Sequence, residues 1–560
     1  MTRPNILLIL ADDMGYSDLG CYGSEIRTPN LDRLAESGLR FSQMYNSARC
    51  CPSRASLLTG LNPHQTGVGH MMDALGPDSY QGFLNENCAT IAEVLRESGY
   101  GTYMSGKWHV GGRYNLLDDS NWEELKGSHG YPIPTQRGFD RFYGIVAGSA
   151  NYFFPRLLME DDRFLELDPS GYYFTDAITD NAVKMLDESA ASNSAASANG
   201  GDERPFFLHV TYTAPHWPLH AHEEDIARYE GKYRDGWDTL RTNRHEELKA
   251  SGVISDKWEI SPRNSSAVAW EDERHKDWED LKMATYAAMI DRMDQGIGRI
   301  LDKVREIGAE DNTLVMFLSD NGGCAEFLAE DTERPEPSQY ASPNPDGTPV
   351  KMGNILGQRP GPGDTFMSYD LPWANASNSP FRLFKRWTHE GGISTPFIVN
   401  WPERIKQAGI VHEPTHISDI PATCIDAAGA SYPTELNGNA ITPIEGVSFM
   451  DALVKDTTGG DAINTGGWKR NLPIYWEHEG SRAVRIDNWK LVAEVGGEWE
   501  LYDMDEDRTE LNNLVEANAP KAAEMTALYD AWAERCGVHP WPLSPSARMM
   551  HLRNAHNHYV

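Results

Sequence analysis

The stretch Pro4-Asn-Ile-Leu-Leu-Ile-Leu-Ala-Asp-Asp13 decides the architecture. Its apolar residues run on without alternation, the pattern of a strand covered on both faces. It then stops on two carboxylates. Comparable runs occur at 205–213 and 313–319, the second followed by Asp320-Asn321. Helix-period stretches separate them. The stretch 30–37 follows a proline and 90–99 ends on a glycine. The stretch 282–307 sets Met283, Ala287, Ile290, Met293, Ile297 and Ile300 three and four apart. Strands alternating with helices predict an α/β fold, a large mixed and mostly parallel sheet sandwiched by helices. Functional residues of such sheets gather just past the carboxyl ends of strands. Both acidic pairs fall there.

Further along, the pattern changes. From about residue 471, short stretches at 472–476, 481–486, 489–495 and 498–502 read as antiparallel strands, and 521–535 as an amphipathic helix. The expected organisation is a large α/β unit over 1–465, which holds both acidic pairs, and a smaller C-terminal α+β unit, an antiparallel sheet plus helix, over 466–560. The smaller unit carries none of the candidate functional residues. Three stretches read as insertions or connections. The Ser/Ala/Asn/Gly tract at 188–201 is expected to be a flexible surface link. The segment 222–280, dense in Glu, Arg, Lys and Trp, reads as solvated helices. The segment 330–380, rich in Pro, Gly, Asp and Ser, is long for a connection within a compact domain, and such loops are commonly functional. The Trp and Tyr residues of these last two are expected to shape a pocket mouth.

A chain of 560 residues exceeds the size at which one core stops growing, in keeping with two units. Lys and Arg number 50 against 83 Asp and Glu, a net charge of −33. That excludes a phosphate backbone as partner, since nucleic acid needs a basic footprint. An anionic substrate would need a locally basic pocket inside an acidic protein. No apolar run approaches the ~20 residues that span a bilayer. The run 6–11 is too short and lacks the basic leader of a signal peptide. The chain as written is therefore expected in the cytoplasm, or in the periplasm or medium if an export signal has been removed. Seven cysteines, at 21, 50, 51, 88, 324, 424 and 536, form no C-x-x-C pair, so neither a zinc site nor a disulfide framework is expected.

Asp12, Asp13, Asp320 and Asn321 offer only hard oxygen ligands, a set suited to Ca2+ or Mg2+ and not to zinc or copper. Either pair alone reads equally well as a turn or helix cap. Cationic and imidazole groups stand in Gly106-Lys-Trp-His109, in Ala214-Pro-His-Trp-Pro218 and in Phe384-Lys-Arg-Trp-Thr-His-Glu-Gly-Gly392. Taken singly these are ordinary loop residues, although the prolines flanking His216 fix its backbone.

The run Cys50-Cys-Pro-Ser-Arg-Ala-Ser-Leu-Leu-Thr-Gly60 ties them together. It resembles the maturation signature of the type I sulfatases, C-x-P-S-R-x-x-x-L-T-G, at every specified position. Ile9-Leu-Ala-Asp-Asp-Met-Gly15, Gly106-Lys-Trp-His109, Ala214-Pro-His216, Ser319-Asp-Asn-Gly322 and Lys385-x-x-x-x-Glu-Gly-Gly392 follow in that family's order and at similar spacing. Thr28-Pro-Asn-Leu-Asp-Arg-Leu34, Trp489-Lys-Leu491 and Glu500-Leu-Tyr-Asp503 extend the likeness over nearly the whole chain. It is most similar to the bacterial arylsulfatases, with the alkaline-phosphatase-like fold.

The resemblance implies hydrolysis of aryl or carbohydrate sulfate monoesters. Cys50 is then oxidised after translation to formylglycine by a maturation enzyme, and its hydrate attacks sulfur to give a covalent sulfate ester. One metal ion, Ca2+ or Mg2+, is held by Asp12, Asp13, Asp320, Asn321 and residue 50. Arg54 holds the nucleophilic hydroxyl, and Asp320 can take its proton. Lys107 and Lys385 pair with sulfate oxygens. His216, with Lys385, donates to the departing alcohol. His109 takes the proton whose removal expels sulfate. Neither nucleic acid nor membrane is an implied partner. Two other activities are compatible with the resemblance: a phosphodiesterase or phosphonate monoester hydrolase using the same nucleophile, and a silent binder of sulfated ligands. Two features depart from the pattern. Ile393-Ser-Thr-Pro396 stands where the family commonly has Ile-Arg-Val-Pro, a change expected to concern packing. Cys51 sets a second thiol beside Cys50, where a vicinal disulfide would block maturation.

Overall fold

Strand Asn5–Asp12 runs through the middle of an eleven-stranded sheet in the computed structural model, which describes residues 3–168, 170–330, 340, 343–453 and 468–543. The unbroken apolar run has a direct cause. Leu7, Ile9 and Ala11 enter the core on one face, with Ile178 and Met185 of helix Phe174–Ala198 and Met283 and Ile290 of helix Lys276–Glu306. Ile6, Leu8 and Leu10 enter a second core on the other, with Leu57, Ile91 and Ile420. A polar residue at any of these positions would be buried without partners.

The central strands are parallel. Thr313–Ser319 and Phe206–Pro215 flank Asn5–Asp12, and Gly101–Lys107 lies beyond the latter. On the other side Ser394–Asn400 runs antiparallel between Thr313–Ser319 and Leu39–Tyr45. The sheet is therefore mixed and mostly parallel, as its sequence pattern predicts. Ala11 is in register with Ser319 and Asp12 with Pro215. One residue beyond these positions come Asp320 and His216. The amino end of Ser394–Asn400 lies at this same rim.

Two connecting stretches differ from expectation. The tract 188–201 is no flexible link: helix Phe174–Ala198 continues through nearly all of it. Alanine is the strongest helix former, and here it outweighs the serines and asparagine. The segment 222–280 is not simply solvated. Trp237 of helix Gly236–Ala250 packs edge-on to Trp270 at 4.7 Å and to Trp373 at 5.3 Å. Buried Arg244 reaches Asp18 Oδ1 at 2.6 Å. These tryptophans build core and not a pocket mouth.

The tail forms a four-stranded antiparallel sheet, Ile474–His478, Ser481–Ile486, Trp489–Ala493 and Glu500–Asp503, covered by helix Ala519–Cys536. Met525, Tyr529 and Trp532 of the helix close one face over Val484, Leu491 and Leu501. Trp476, Ala483, Val492 and Tyr502 on the other face pack against Tyr45, Ala48 and Ile393 of the large unit. The expected boundary at 465/466 lies outside the described residues. No helix among the described residues is long and apolar enough to cross a membrane.

A buried set of charges joins the two units. Lys490 Nζ lies 2.8 Å from both Glu390 Oε1 and Glu510 Oε1, and Arg508 donates through Nε to Glu390 Oε2 at 2.9 Å. Burial alone would raise the Glu390 carboxyl, but Lys490 and Arg508 hold it down at about 2. Ser394, the departure noted above, accepts from Arg508 Nη2 at 2.6 Å within this set. That contact makes Ser394 part of the packing between the two units.

Removing one partner of a buried ion pair strands the other. Lys490→Met is therefore expected to lower unfolding free energy by about 3–5 kcal/mol, read from denaturant midpoints.

A second expectation concerns acid. Buried His220 shares Nε2 with the Thr365 carbonyl at 2.6 Å and accepts the Tyr152 amide on Nδ1 at 3.2 Å, so both nitrogens are committed to the neutral ring. Burial pulls its pKa from 6.5 to about 4. The folded value lies below the unfolded one, so its contribution is full above pH 6.5 and fades as pH falls toward 4. The loss, about 3 kcal/mol in order of magnitude, should appear in pH-dependent denaturation and shrink in His220→Asn.

Candidate active site

The rim where these strand ends meet gathers all ten residues singled out in the sequence: Asp12, Asp13, Cys50, Arg54, Lys107, His109, His216, Asp320, Asn321 and Lys385. Each is buried. Asp12 ends its strand and Asp13 turns left-handed at φ 65°, which aspartate tolerates. Buried Asp18 supports this turn by accepting the Gly15 amide at 2.8 Å and the Tyr286 hydroxyl at 2.8 Å. Asp320 Oδ1 accepts the Asp13 amide at 3.2 Å, and Asn321 Nδ2 donates to Asp13 Oδ1 at 2.7 Å.

Cys50 opens helix Cys50–Thr59, all of whose residues are buried and which ends on left-handed Gly60. Pro52 lies in the first turn, where no intrahelical N–H is required. The Ser53 hydroxyl accepts the Ser47 amide at 2.9 Å, folding the approach back on the helix start. One turn in, Arg54 donates to Asp320 Oδ2 at 2.8 Å and to the Lys107 carbonyl at 3.0 Å. It is thus turned toward Asp320 and the end of strand Gly101–Lys107.

The cations divide the carboxylates among them. Lys107 Nζ lies 2.5 Å from Asp12 Oδ2, and Lys385 Nζ 2.8 Å from Asp13. Lys385 also lies 3.3 Å from His216 Nε2, whose other nitrogen meets the Trp217 carbonyl at 2.6 Å. Burial would raise Asp12, yet Lys107, His216 and Arg54 bring it to about 2. Asp320 goes the other way, pushed well up by burial and by the Asp12 charge beside it. His109 is pulled to about 4 by burial and by Lys107. Its ring shares a pocket with the Cys50 and Cys51 sulfurs, polar atoms within 4.8 Å of one another. Gly148 makes room for that ring, since a Cβ there would come within 2.2 Å of Nε2. Burial raises the Cys50 thiol, but the hydrogen bond with Cys51 and then Lys107, His109 and Lys385 leave it well below its ordinary value. Cys50 and Cys51 are free thiols, not a vicinal disulfide.

Two oxygens in this cluster have no hydrogen-bond donor, Asp12 Oδ1 and Asn321 Oδ1, both buried. Unpaired acceptors in a set made only of carboxylate and amide oxygens fit a hard divalent cation.

Two neighbours, Arg49 and Glu326, carry no sequence signal of their own. Arg49, just before Cys50, donates to Glu326 Oε1 at 3.1 Å, while Glu326 Oε2 accepts the Trp217 indole at 2.9 Å. The Trp217 ring lies 4.4 Å from His216 and 5.6 Å from Tyr340. The aromatic wall beside the site thus comes from Trp217 and from Tyr340 of the long loop, not from the tryptophans of 222–280. Arginine and glutamate in loops are too common to mark, and only the fold brings these together.

Residues 4–430 match the Sulfatase family. An uncharacterized sulfatase of Schizosaccharomyces pombe is 32% identical over 558 residues, covering 96% of this chain and 94% of that protein. An arylsulfatase of Klebsiella aerogenes is 31% identical over 467 residues, 80% of this chain and 91% of its own. Among solved structures, Ps i-CgsB in complex with k-i-k-neocarrahexaose has the same fold at a TM-score of 0.66 and 23% identity, covering 99% of this chain and 98% of that one. Matched to that family over residues 4–430, and 32% identical to one of its members across nearly its whole length, the chain belongs to the sulfatase family.

Proposed function

We propose that this sulfatase cleaves sulfate monoesters of ring alcohols, phenols or sugars, using residue 50 after its oxidation to formylglycine. The observation that carries this reading is the junction of the Cys50 helix start with the four oxygen ligands and two buried lysines. Cys50 Sγ stands where an oxygen of the hydrated aldehyde would be, and that hydrate supplies the nucleophile. Asp12, Asp13, Asp320 and Asn321 would hold Ca2+, or Mg2+ in its place, whose Lewis acidity polarises sulfate oxygens.

The remaining roles fall to this chain's own side chains. Lys107 and Lys385 each lend positive charge where a sulfate would bind, in a site from which water is largely excluded. Arg54 fixes the Asp320 carboxylate, the group suited to take the nucleophile's proton. The Lys385–His216 pair, 3.3 Å apart, can pass a proton to the departing alcohol oxygen. His109, held neutral by burial and by Lys107, is the base beside position 50. The Trp217 face next to His216 lies on the leaving-group side, and its flat apolar surface suits an aryl or sugar ring.

Mass spectrometry of the peptide containing residue 50, from enzyme that turns over 4-nitrophenyl sulfate, should show the thiol and one β-hydrogen replaced by a carbonyl oxygen. A fully active preparation carrying only thiol would sink the reading. Faster turnover of phosphate diesters than of any sulfate ester would move the enzyme to the alternative reaction. Trp217→Ala should raise KM for 4-nitrophenyl sulfate about tenfold, the equivalent of one lost stacking contact, with kcat less affected. An unchanged KM would remove Trp217 from the leaving-group side.

A further inference from the structure

The strands Ile474–His478 and Ser481–Ile486 meet in a two-residue turn, Glu479-Gly480, with both residues left-handed at φ 49° and 83°. Such a turn follows the twist of the flanking strands, and it drives the Glu479 side chain into the large unit. The carboxylate is buried there among groups that adjoin the active site. Its Oε2 accepts from Arg386 Nε at 2.8 Å, and its Oε1 lies 3.6 Å from Arg49 Nη1 and 3.0 Å from His70 Nε2. Arg49 precedes Cys50, and Arg386 follows Lys385. The two loops are also tied directly, by the Arg386 amide donating to the Ala48 carbonyl at 2.8 Å.

Both loops are strained where they are held. Ala48 and Arg386 are non-glycine residues at φ 64° and 88°. Such conformations cost about 1–3 kcal/mol each and persist only where the surroundings impose them. The His70, His478 and Glu479 side chains also lie close enough to suggest a metal ion. Two guanidinium groups already neutralise that carboxylate, so a further cation is not what the cluster attracts.

We propose that Glu479 is a positioning residue for the reaction: from the tip of the C-terminal hairpin its carboxylate clamps Arg49 and Arg386, and through them fixes where Cys50 and Lys385 stand. The small unit, which bears none of the candidate catalytic residues, thereby sets the separation of the nucleophile from its sulfate-binding lysine. The inference rests on the roles assigned above to those two residues.

The test compares Glu479→Gln with Glu93→Gln, a buried carboxylate paired with Arg137 at 3.1 Å on the helix Ile91–Glu97. Each change removes a buried charge partner and should lower stability. Only Glu479→Gln is expected to lower kcat for 4-nitrophenyl sulfate, by about tenfold or more with KM held within about twofold, because alignment and not binding is lost. Glu479→Asp should recover part of kcat. Amide exchange across 46–54 and 383–388 should quicken in Glu479→Gln and not in Glu93→Gln. Equal kcat losses in the two variants, or unchanged exchange in those segments, would overturn the proposal. Were the parent enzyme inactive on sulfate esters, the proposed function would fail while the exchange comparison still decided this point. Should Glu479→Gln not fold, Arg386→Gln removes the same contact from the other side and is read in the same way.

Discussion

Three carboxylates, Asp12, Asp13 and Asp320, are buried together at the ends of two adjacent parallel strands, and much of the molecule serves to make that tolerable. Like charges a few ångströms apart repel by about 4 kcal/mol at the dielectric typical of protein sites. Each is therefore met by a cation from a different element: Lys107 from the next strand but one, Arg54 from helix Cys50–Thr59, Lys385 from the loop before the antiparallel strand. The register of Ala11 with Ser319 and of Asp12 with Pro215 brings the carboxylates and His216 to one rim. Any slip would disperse them. The fold is in this sense the device that holds incompatible charges within reach of one another.

How much of this is legible in the sequence depends on the length scale of its cause. Strand Asn5–Asp12 is legible because burial on both faces leaves a local trace, an apolar run with no alternation. The ten candidate site residues are legible because each lies in a short, distinctive run, and the structure brings those runs to one buried rim. The helix over 188–198 is misread because serine and asparagine look like linker residues, whereas the alanines among them decide the local conformation. Trp237 and Trp270 are misread because an exposed and a buried tryptophan look alike until Trp373 is brought against them. Glu390 appears in a recognisable run, but its partners Lys490 and Arg508 lie a hundred residues on. Pairings of that range leave no periodicity to read.

That distant pairing changes the standing of the C-terminal unit. From sequence it looks appended, a small sheet and a helix after the last candidate residue. In the structure it supplies Lys490, Arg508 and Glu510 to a wholly buried charge set whose remaining member, Glu390, stands five residues after Lys385. Its sheet also closes over Tyr45, Ala48 and Ile393, at the end of the strand that leads to Cys50. A buried ion-pair set gives little net stability when complete and costs a great deal when broken. Such sets favour one geometry over many, which is what a site built on alignment requires.

The acidic balance of the chain can then be reconciled with an anionic substrate. At physiological ionic strength the screening length is about 8 Å, so most of the net charge of −33 is invisible to an ion already in the rim. In the proposed reaction, what that ion meets is Lys107 and Lys385, both buried, where each charge counts for far more than on the surface. The same acidity offers no long-range attraction to guide a sulfate in. Association then falls to contacts with the rest of the substrate, and the surface available beside His216 is the ring of Trp217 with Tyr340 against it. On the function proposed above, such a site would recognise sulfate by buried cations and the alcohol by an aromatic face, and so would select for the ring that carries the ester as much as for the ester itself.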